Sequence, residues 1–252
     1  MVKKYQAPIV QKAFQILNAV ARSEDGMGIS DIAARLDIGK STVHGITAAL
    51  EQQGALVRDP RSKRYAVGPT LLELGQAVEK RVDIRRLARP AMEALMAQCR
   101  ETVFLGIRNG NHVTIIDRVE SPKDFKISSP IGTAVPLLAG AVGKAFLSTL
   151  SPEEATPLIT REPLPRYTPN TITDPVQYQA VLETIREQGY ALDDEEYIAG
   201  VRAVAVPLPS CGPYAPALWV VGFKAALDDQ RLPDVIQGIL SAGRQIAQSL
   251  RP

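Results

Sequence analysis

The chain has 252 residues, 45% hydrophobic and 22% charged, an ordinary globular composition with room for two modest domains or one large one. No stretch is long and apolar enough to cross a bilayer, and Met1–Gln15 lacks the apolar core of an export signal, so the expected location is the cytoplasm, with Cys99 and Cys211 reduced. The net charge of +2 is uneven: residues 1–68 hold ten Lys/Arg against six Asp/Glu, and residues 69–252 hold 19 against 21, a small basic front suited to phosphates on a near-neutral body.

From the N-terminus, Gln11–Arg22 sets Phe14, Leu17 and Ala21 on one stripe with Ala13, Ile16 and Val20 beside it, which is helical spacing. Glu24-Asp25-Gly26-Met27-Gly28 breaks that helix, and Ser30 is placed to cap a short one over Asp31–Leu36 that buries Ile32 and Leu36. Asp37-Ile38-Gly39 turns the chain into a third helix, Lys40–Gln53, stopped at Gly54. Leu56-Val57-Arg58 and Arg64-Tyr65-Ala66-Val67 flank an Asp-Pro turn and form a hairpin. Helix, helix, turn, helix, hairpin within about 60 residues is the order of a winged helix-turn-helix. Thr70–Arg89 then reads as a charge-rich linking helix, and Pro90–Arg100 as another amphipathic helix.

The texture changes after that. Thr102–Ile107 and Val113–Val119 read as strands joined by Arg108-Asn109-Gly110-Asn111, with a candidate short strand at Phe125–Ser128. Gly132–Ala141 is a loop opening onto a helix over Val142–Leu150, and Pro157–Pro175 is a Pro- and Thr-rich connection. Val176–Gln188 is a helix ended by Gly189; Tyr190–Glu196, Val201–Leu208 and Ala217–Lys224 are strands; Asp228–Leu250 is a closing helix. Hairpins mixed with helices define an α+β class with an antiparallel sheet. The expected organisation is a winged helix-turn-helix over 1–69, a linking helix over 70–89 and a larger α+β domain over 90–252.

On the third helix, Val43, Ile46 and Leu50 share an inward face with Thr47 at its flank, while Ser41, Gly45 and Ala48 lie opposite, with Thr42 and His44 on the shoulders. An apolar back and short polar groups near the N-terminus are what a helix needs to enter the major groove. Ser30, Lys40, Ser41, Thr42, His44 and Gly45 are therefore the candidate DNA-facing positions, and Arg58, Arg61, Lys63 and Arg64 of the hairpin are placed for phosphates or the minor groove.

The stretch Asp31-Ile-Ala-Ala-Arg-Leu-Asp-Ile-Gly-Lys-Ser-Thr-Val-His44, then Leu50-Glu-Gln-Gln-Gly54 and Arg64-Tyr65-Ala-Val-Gly68, resembles the IclR family of bacterial transcriptional regulators. Ala134-Val-Pro-Leu-Leu-Ala-Gly-Ala-Val-Gly-Lys-Ala145 resembles that family's effector loop, and Gly189-Tyr-Ala-Leu-Asp-Asp-Glu-Glu196 with Gly200-Val-Arg-Ala-Val-Ala-Val-Pro207 its signature strands. The resemblance implies a GAF-like effector domain and operator binding as a homodimer, often a dimer of dimers. It also implies an effector pocket lined by Ile127, Gly140, Ala141, Val142, Asp193, Val201, Ala203, Val220 and Gly222. Family members that bind small keto acids carry Cys or Ser where this chain has Ala203, Val220 and Gly222, so the expected effector is an organic acid with an apolar body, an aromatic carboxylate among them. Members commonly carry Arg after the recognition-helix His; this chain has Gly45.

Other classes fare worse. Two histidines (His44, His112) and two cysteines at scattered positions make no zinc site, and Cys99 with His112 has no dyad spacing, so no metal, cofactor or enzymatic activity is expected. Gly39-Lys40-Ser41 lacks the earlier glycine (Ala34 stands there) and the preceding strand of a phosphate loop. The remaining alternative is a protein-interaction module or small-molecule sensor that does not bind DNA.

Overall fold

A computed structural model describes residues 7–81, 84–160 and 163–250. The chain divides into two compact units, Met1–Val82 and Asp83–Pro252.

The first unit contains α1 (Pro8–Ala21), α2 (Ile29–Leu36), α3 (Lys40–Gln52), a two-stranded antiparallel hairpin of β1 (Leu56–Arg58) and β2 (Tyr65–Val67), and α4 (Pro69–Arg81). Ile16, Val20, Ile32, Val43, Ile46, Leu56 and Tyr65 form one core, each with 5% or less of its surface exposed. Burying an aliphatic side chain of this kind contributes roughly 1.5–3 kcal/mol, so the core outweighs the weak intrinsic stability of three short helices. Phe14 is not part of it. The inward stripe of α1 runs through Ile16, Ala19 and Val20, which leaves Phe14 62% exposed.

Ser30 does not cap α2. The helix starts two residues earlier, at Ile29, with Gly28 at its N-cap, and Asp31 reaches back so that the Gly28 N–H donates to its Oδ2 at 3.2 Å. Asp31, the third residue of the helix, thus supplies the returning half of a capping box, and Gly28 contributes no side-chain acceptor of its own.

The second unit is a six-stranded antiparallel sheet in the order β5-β4-β3-β8-β7-β6. Its strands are β3 (Thr102–Asn109), β4 (His112–Val119), β5 (Ala134–Pro136), β6 (Ala191–Asp194), β7 (Val201–Pro207) and β8 (Pro216–Phe223). One face is covered by α5 (Ile84–Cys99) and α9 (Leu232–Ser249). The other is covered by α6 (Gly140–Ser148), behind which lies α8 (Pro175–Gln188) with α7 (Pro152–Thr160) against it.

Three sequence expectations are corrected here. No helix begins at Pro90: α5 runs through it, because Ile84, Ala88, Ala91, Met92, Leu95 and Cys99 make one continuous buried stripe. The start of the Pro157–Pro175 connection is helical, since Ala155 and Ile159 anchor α7 in the core and burial overrides the few-kcal/mol penalty of an interior proline. Phe125–Ser128 is not a strand; Phe125 is 86% exposed and has no partner edge.

Candidate DNA interface and ligand site

The three-helix core fixes how α3 is presented. Val43, Ile46 and Thr47 are buried, and the Thr47 hydroxyl is absorbed by the His44 carbonyl at 3.1 Å. Lys40, Ser41, His44 and Gly45 face outward with Thr42 half-buried, and among the described residues the side chains of Lys40, Ser41, Thr42 and His44 make no hydrogen bond or ion pair. A Cβ built on Gly45 would meet no heavy atom within 4 Å. Ser30 is exposed in the first turn of α2. The tip of α3 is thus an uncommitted polar surface, which a groove-reading helix requires.

The four basic side chains of the hairpin are not equivalent. Asp59 builds the turn: its Oδ1 accepts from the Arg61 N–H (2.9 Å), the Ser62 N–H (2.6 Å) and the Ser62 hydroxyl (2.9 Å). These bonds, the Ser62 N–H foremost, hold its carboxyl below the usual range. Lys63 completes the turn at φ 60°. Among the described residues the Arg61 and Lys63 side chains make no hydrogen bond or ion pair and stand in solvent. Arg58 lies over the Tyr65 ring, 5.6 Å from its centroid, and Arg64 points back toward the α1–α2 turn, donating from Nε to the carbonyls of Asp25 (3.1 Å) and Gly26 (3.2 Å).

In the second unit the effector loop folds against α6. Gly140 takes φ 59°, and a side chain on it would collide with the Asp193 carboxyl; one on Gly143 would collide with the Leu137 carbonyl. Glycine is required at both places for that close approach. Ala141, Val142, Val201 and Ala203 are buried in one cluster against which Ile127 packs, so five of the expected pocket residues do share a neighbourhood, with Gly140 and Asp193 at its edge.

Val220 and Gly222 do not belong to it. Ala203 pairs with Val221, Val204 with Val220 and Arg202 with Gly222, so Val220 and Gly222 lie on the opposite face of the sheet, where a Cβ on Gly222 would meet the Glu101 side chain at 2.7 Å. The side chains that join Ala203 toward α6 are Trp219 and Val221. Alternation along a strand makes a one-residue shift in register exchange the two faces, and β8 is apolar on both, so only its pairing with β7 identifies them. Trp219 stacks on Phe104 at 5.4 Å and 25° and covers Gly106, whose missing side chain makes room for the ring.

The carboxylate run at the end of β6 is sorted residue by residue. Asp193 is 4% exposed; its Oδ1 accepts from the Glu196 N–H at 2.7 Å, and burial pushes its pKa up to about 6. Asp194 accepts the two-pronged guanidinium of Arg202 at 2.8 and 2.9 Å, which brings it down to about 2. Glu195 pairs with Lys224, and Glu196 with Lys144, whose side chain is only 3% exposed. Among the described residues no group of His, Cys, Asp and Glu is arranged to hold a metal ion, and no helix is long and apolar enough to cross a membrane.

A helix-turn-helix with a basic wing, carried with a separate α+β unit that places one buried carboxyl beside an apolar sheet face, defines a DNA-binding transcriptional regulator with a ligand-binding domain. Comparison with known proteins names the family. Residues 9–60 match the IclR helix-turn-helix domain, and residues 76–248 match the bacterial transcriptional regulator IclR C-terminal domain. The chain is 33% identical over 244 residues to the HTH-type transcriptional regulator BhcR of Paracoccus denitrificans, covering 96% of this chain and 87% of that one. The crystal structure of an IclR-type transcriptional regulator from Alicyclobacillus acidocaldarius superimposes with a TM-score of 0.82 at 27% identity over 98% and 100% of the two chains. An IclR homologue from Microbacterium hydrocarbonoxydans, crystallised with 4-hydroxybenzoate, shares the fold with a TM-score of 0.79 at 24% identity over 96% and 99%. The chain belongs to the IclR family, and its relatives are regulators, not enzymes.

Proposed function

We propose that this protein is a cytoplasmic regulator that works as a homodimer or a dimer of dimers. Operator binding, through the α3 tip and the wing, is modulated by an aromatic hydroxy acid held between α6 and the sheet. The observation that carries the ligand class is the Trp219–Phe104 stack on the face shared with Ala203, with one buried carboxyl, Asp193, at its edge. Aromatic and alanine surface favours a flat apolar body, and a desolvated carboxyl favours a ligand that offers it a hydroxyl hydrogen. Asp193 lies against Gly140 at the start of α6, so the helix end already faces a carboxyl of the protein. The ligand's own carboxylate therefore points away from Asp193, because two carboxylates at one place repel. Complex formation by the Microbacterium relative with 4-hydroxybenzoate fits this reading. A ligand that binds one arrangement of the regulator better shifts DNA affinity by the same coupling free energy.

Calorimetry tests the ligand class. 4-Hydroxybenzoate is expected to bind at least about tenfold more tightly than benzoate, the worth of a hydrogen bond to a charged group, and Asp193→Asn is expected to abolish that preference. Tight binding of glyoxylate or pyruvate with none of either aromatic acid overturns it.

A further inference from the structure

Arg64 stands between two elements that must be held at a fixed spacing. It lies at the base of the wing, just before β2. Its Nε donates to the carbonyls of Asp25 and Gly26, and its Nη2 pairs with Asp31 Oδ2 at 3.2 Å. The same Asp31 oxygen caps α2 through the Gly28 N–H. Beside this strap the backbone is zipped: Met27 N–H donates to the Tyr65 carbonyl at 3.0 Å, and Tyr65 N–H to the Met27 carbonyl at 2.8 Å. Gly26 takes φ 66°, and any side chain there would run into the Tyr65 carbonyl at 2.5 Å.

We propose that Arg64 is a positioning residue: it sets the angle of the wing against α2, and through α2 against the recognition helix, and does not itself neutralise a phosphate. Three acceptors already hold its planar fork. The surroundings also offset its charge, since the recess of about 410 Å³ beside it is lined by Glu24, Asp25 and Asp59 as well as Arg58 and Arg64. Arg61 and Lys63, whose side chains are unengaged among the described residues, are the wing's phosphate contacts. Arg64 thus supports discrimination between sequences, which depends on geometry, while its neighbours supply affinity that any duplex satisfies.

The inference rests on the wing meeting DNA, and the experiment separates the two. Binding of the full chain is titrated against salt with two probes, a duplex it selects from a randomised pool and a random-sequence duplex. Arg64→Gln and Asp31→Asn are each expected to weaken the selected duplex three- to tenfold, with the salt slope and random-duplex affinity unchanged, and the double variant is expected to lose no more than either single one. Arg64→Lys, which keeps the charge but not the fork, is expected to restore little. Arg61→Gln and Lys63→Gln are expected to weaken both duplexes and reduce the slope by about 0.9 each. A drop of that size with Arg64→Gln, or full recovery with Arg64→Lys, makes Arg64 a phosphate contact and overturns the proposal, as does an Arg64→Gln variant indistinguishable from wild type. If Arg61→Gln and Lys63→Gln leave the slope unchanged, the wing does not meet DNA, and the positioning role falls with that reading.

Discussion

The two units expose and conceal their chemistry in opposite ways. In the first, the groups argued to meet DNA project from short, locally determined elements: Lys40, Ser41 and His44 from one helical turn, Arg61 and Lys63 from one tight turn. In the second, the groups argued to meet a ligand are mostly buried, and they come from α6, β3, β6, β7 and β8, whose association depends on sheet register. A surface of the first kind tolerates exchange of side chains with little loss of stability, because the core lies behind it. A buried site of the second kind is itself part of the core, so ligand recognition and stability are inseparable there.

Paired substitutions test that contrast most strongly. Trp219→Ala removes a side chain that is 5% exposed and leaves Phe104 without its stacking partner; truncations of this kind cost about 3–5 kcal/mol. Phe14→Ala in the first unit removes a ring that is 62% exposed, and a change within about 0.5 kcal/mol is expected. Denaturant unfolding followed by circular dichroism reads both. Equal losses would mean that Phe14 is buried by something in solution, or that the Trp219 face is not a core.

Asp193 gives a smaller effect with a definite sign. Its folded pKa, about 6, is raised by burial above the ordinary 3.8. Below the lower value the carboxyl is protonated whether the chain is folded or not, and it costs nothing. As pH rises through the interval the unfolded chain ionises first, so stability falls, and the full penalty, on the order of 2–3 kcal/mol, is present above pH about 6. Asp193→Asn keeps an acceptor for the Glu196 N–H and cannot ionise. Its stability relative to wild type is therefore expected to rise between pH 4 and pH 6.5, and parallel stability curves for the two would show that Asp193 is not desolvated.

The same contrast decides what was legible in the sequence. Val43, Ile46 and Thr47 at helical spacing, the Asp-Pro turn and the glycine stops are local signals, and they located α3 and the wing within a residue or two. The α2 cap lies two residues before Ser30, the residue its hydroxyl suggests, because Asp31 binds the Gly28 N–H from inside the helix. Errors with consequences lie where information is non-local. The expectation sets Val220 and Gly222 beside Ala203, but Trp219 and Val221 occupy that face, since nothing within β8, apolar on both faces, reveals its parity. The continuity of α5 through Pro90 and the existence of α7 likewise depend on burial against partners far away in the chain. That Arg64 turns inward while Arg61 turns outward depends on Asp25, Gly26 and Asp31, nearly forty residues upstream at the farthest.

Gly45 offers the smallest change in stability and the sharpest reading of the first unit. It is exposed in the interior of α3 with open space where a Cβ would stand. Gly45→Ala is therefore expected to stabilise this unit by about 0.5–1 kcal/mol, the backbone entropy that glycine forfeits in a helix, while selecting the same duplex sequence as wild type. Gly45→Arg gains similar helix stability but extends a forked donor from the outermost position of the helix, within reach of guanine edges in a major groove. It is expected to shift the selected sequence at one or two base pairs per half-site. If selection from a randomised pool returns the wild-type sequence for Gly45→Arg, this face of α3 does not approach base edges, and recognition must reside in the wing or in the shape of the duplex.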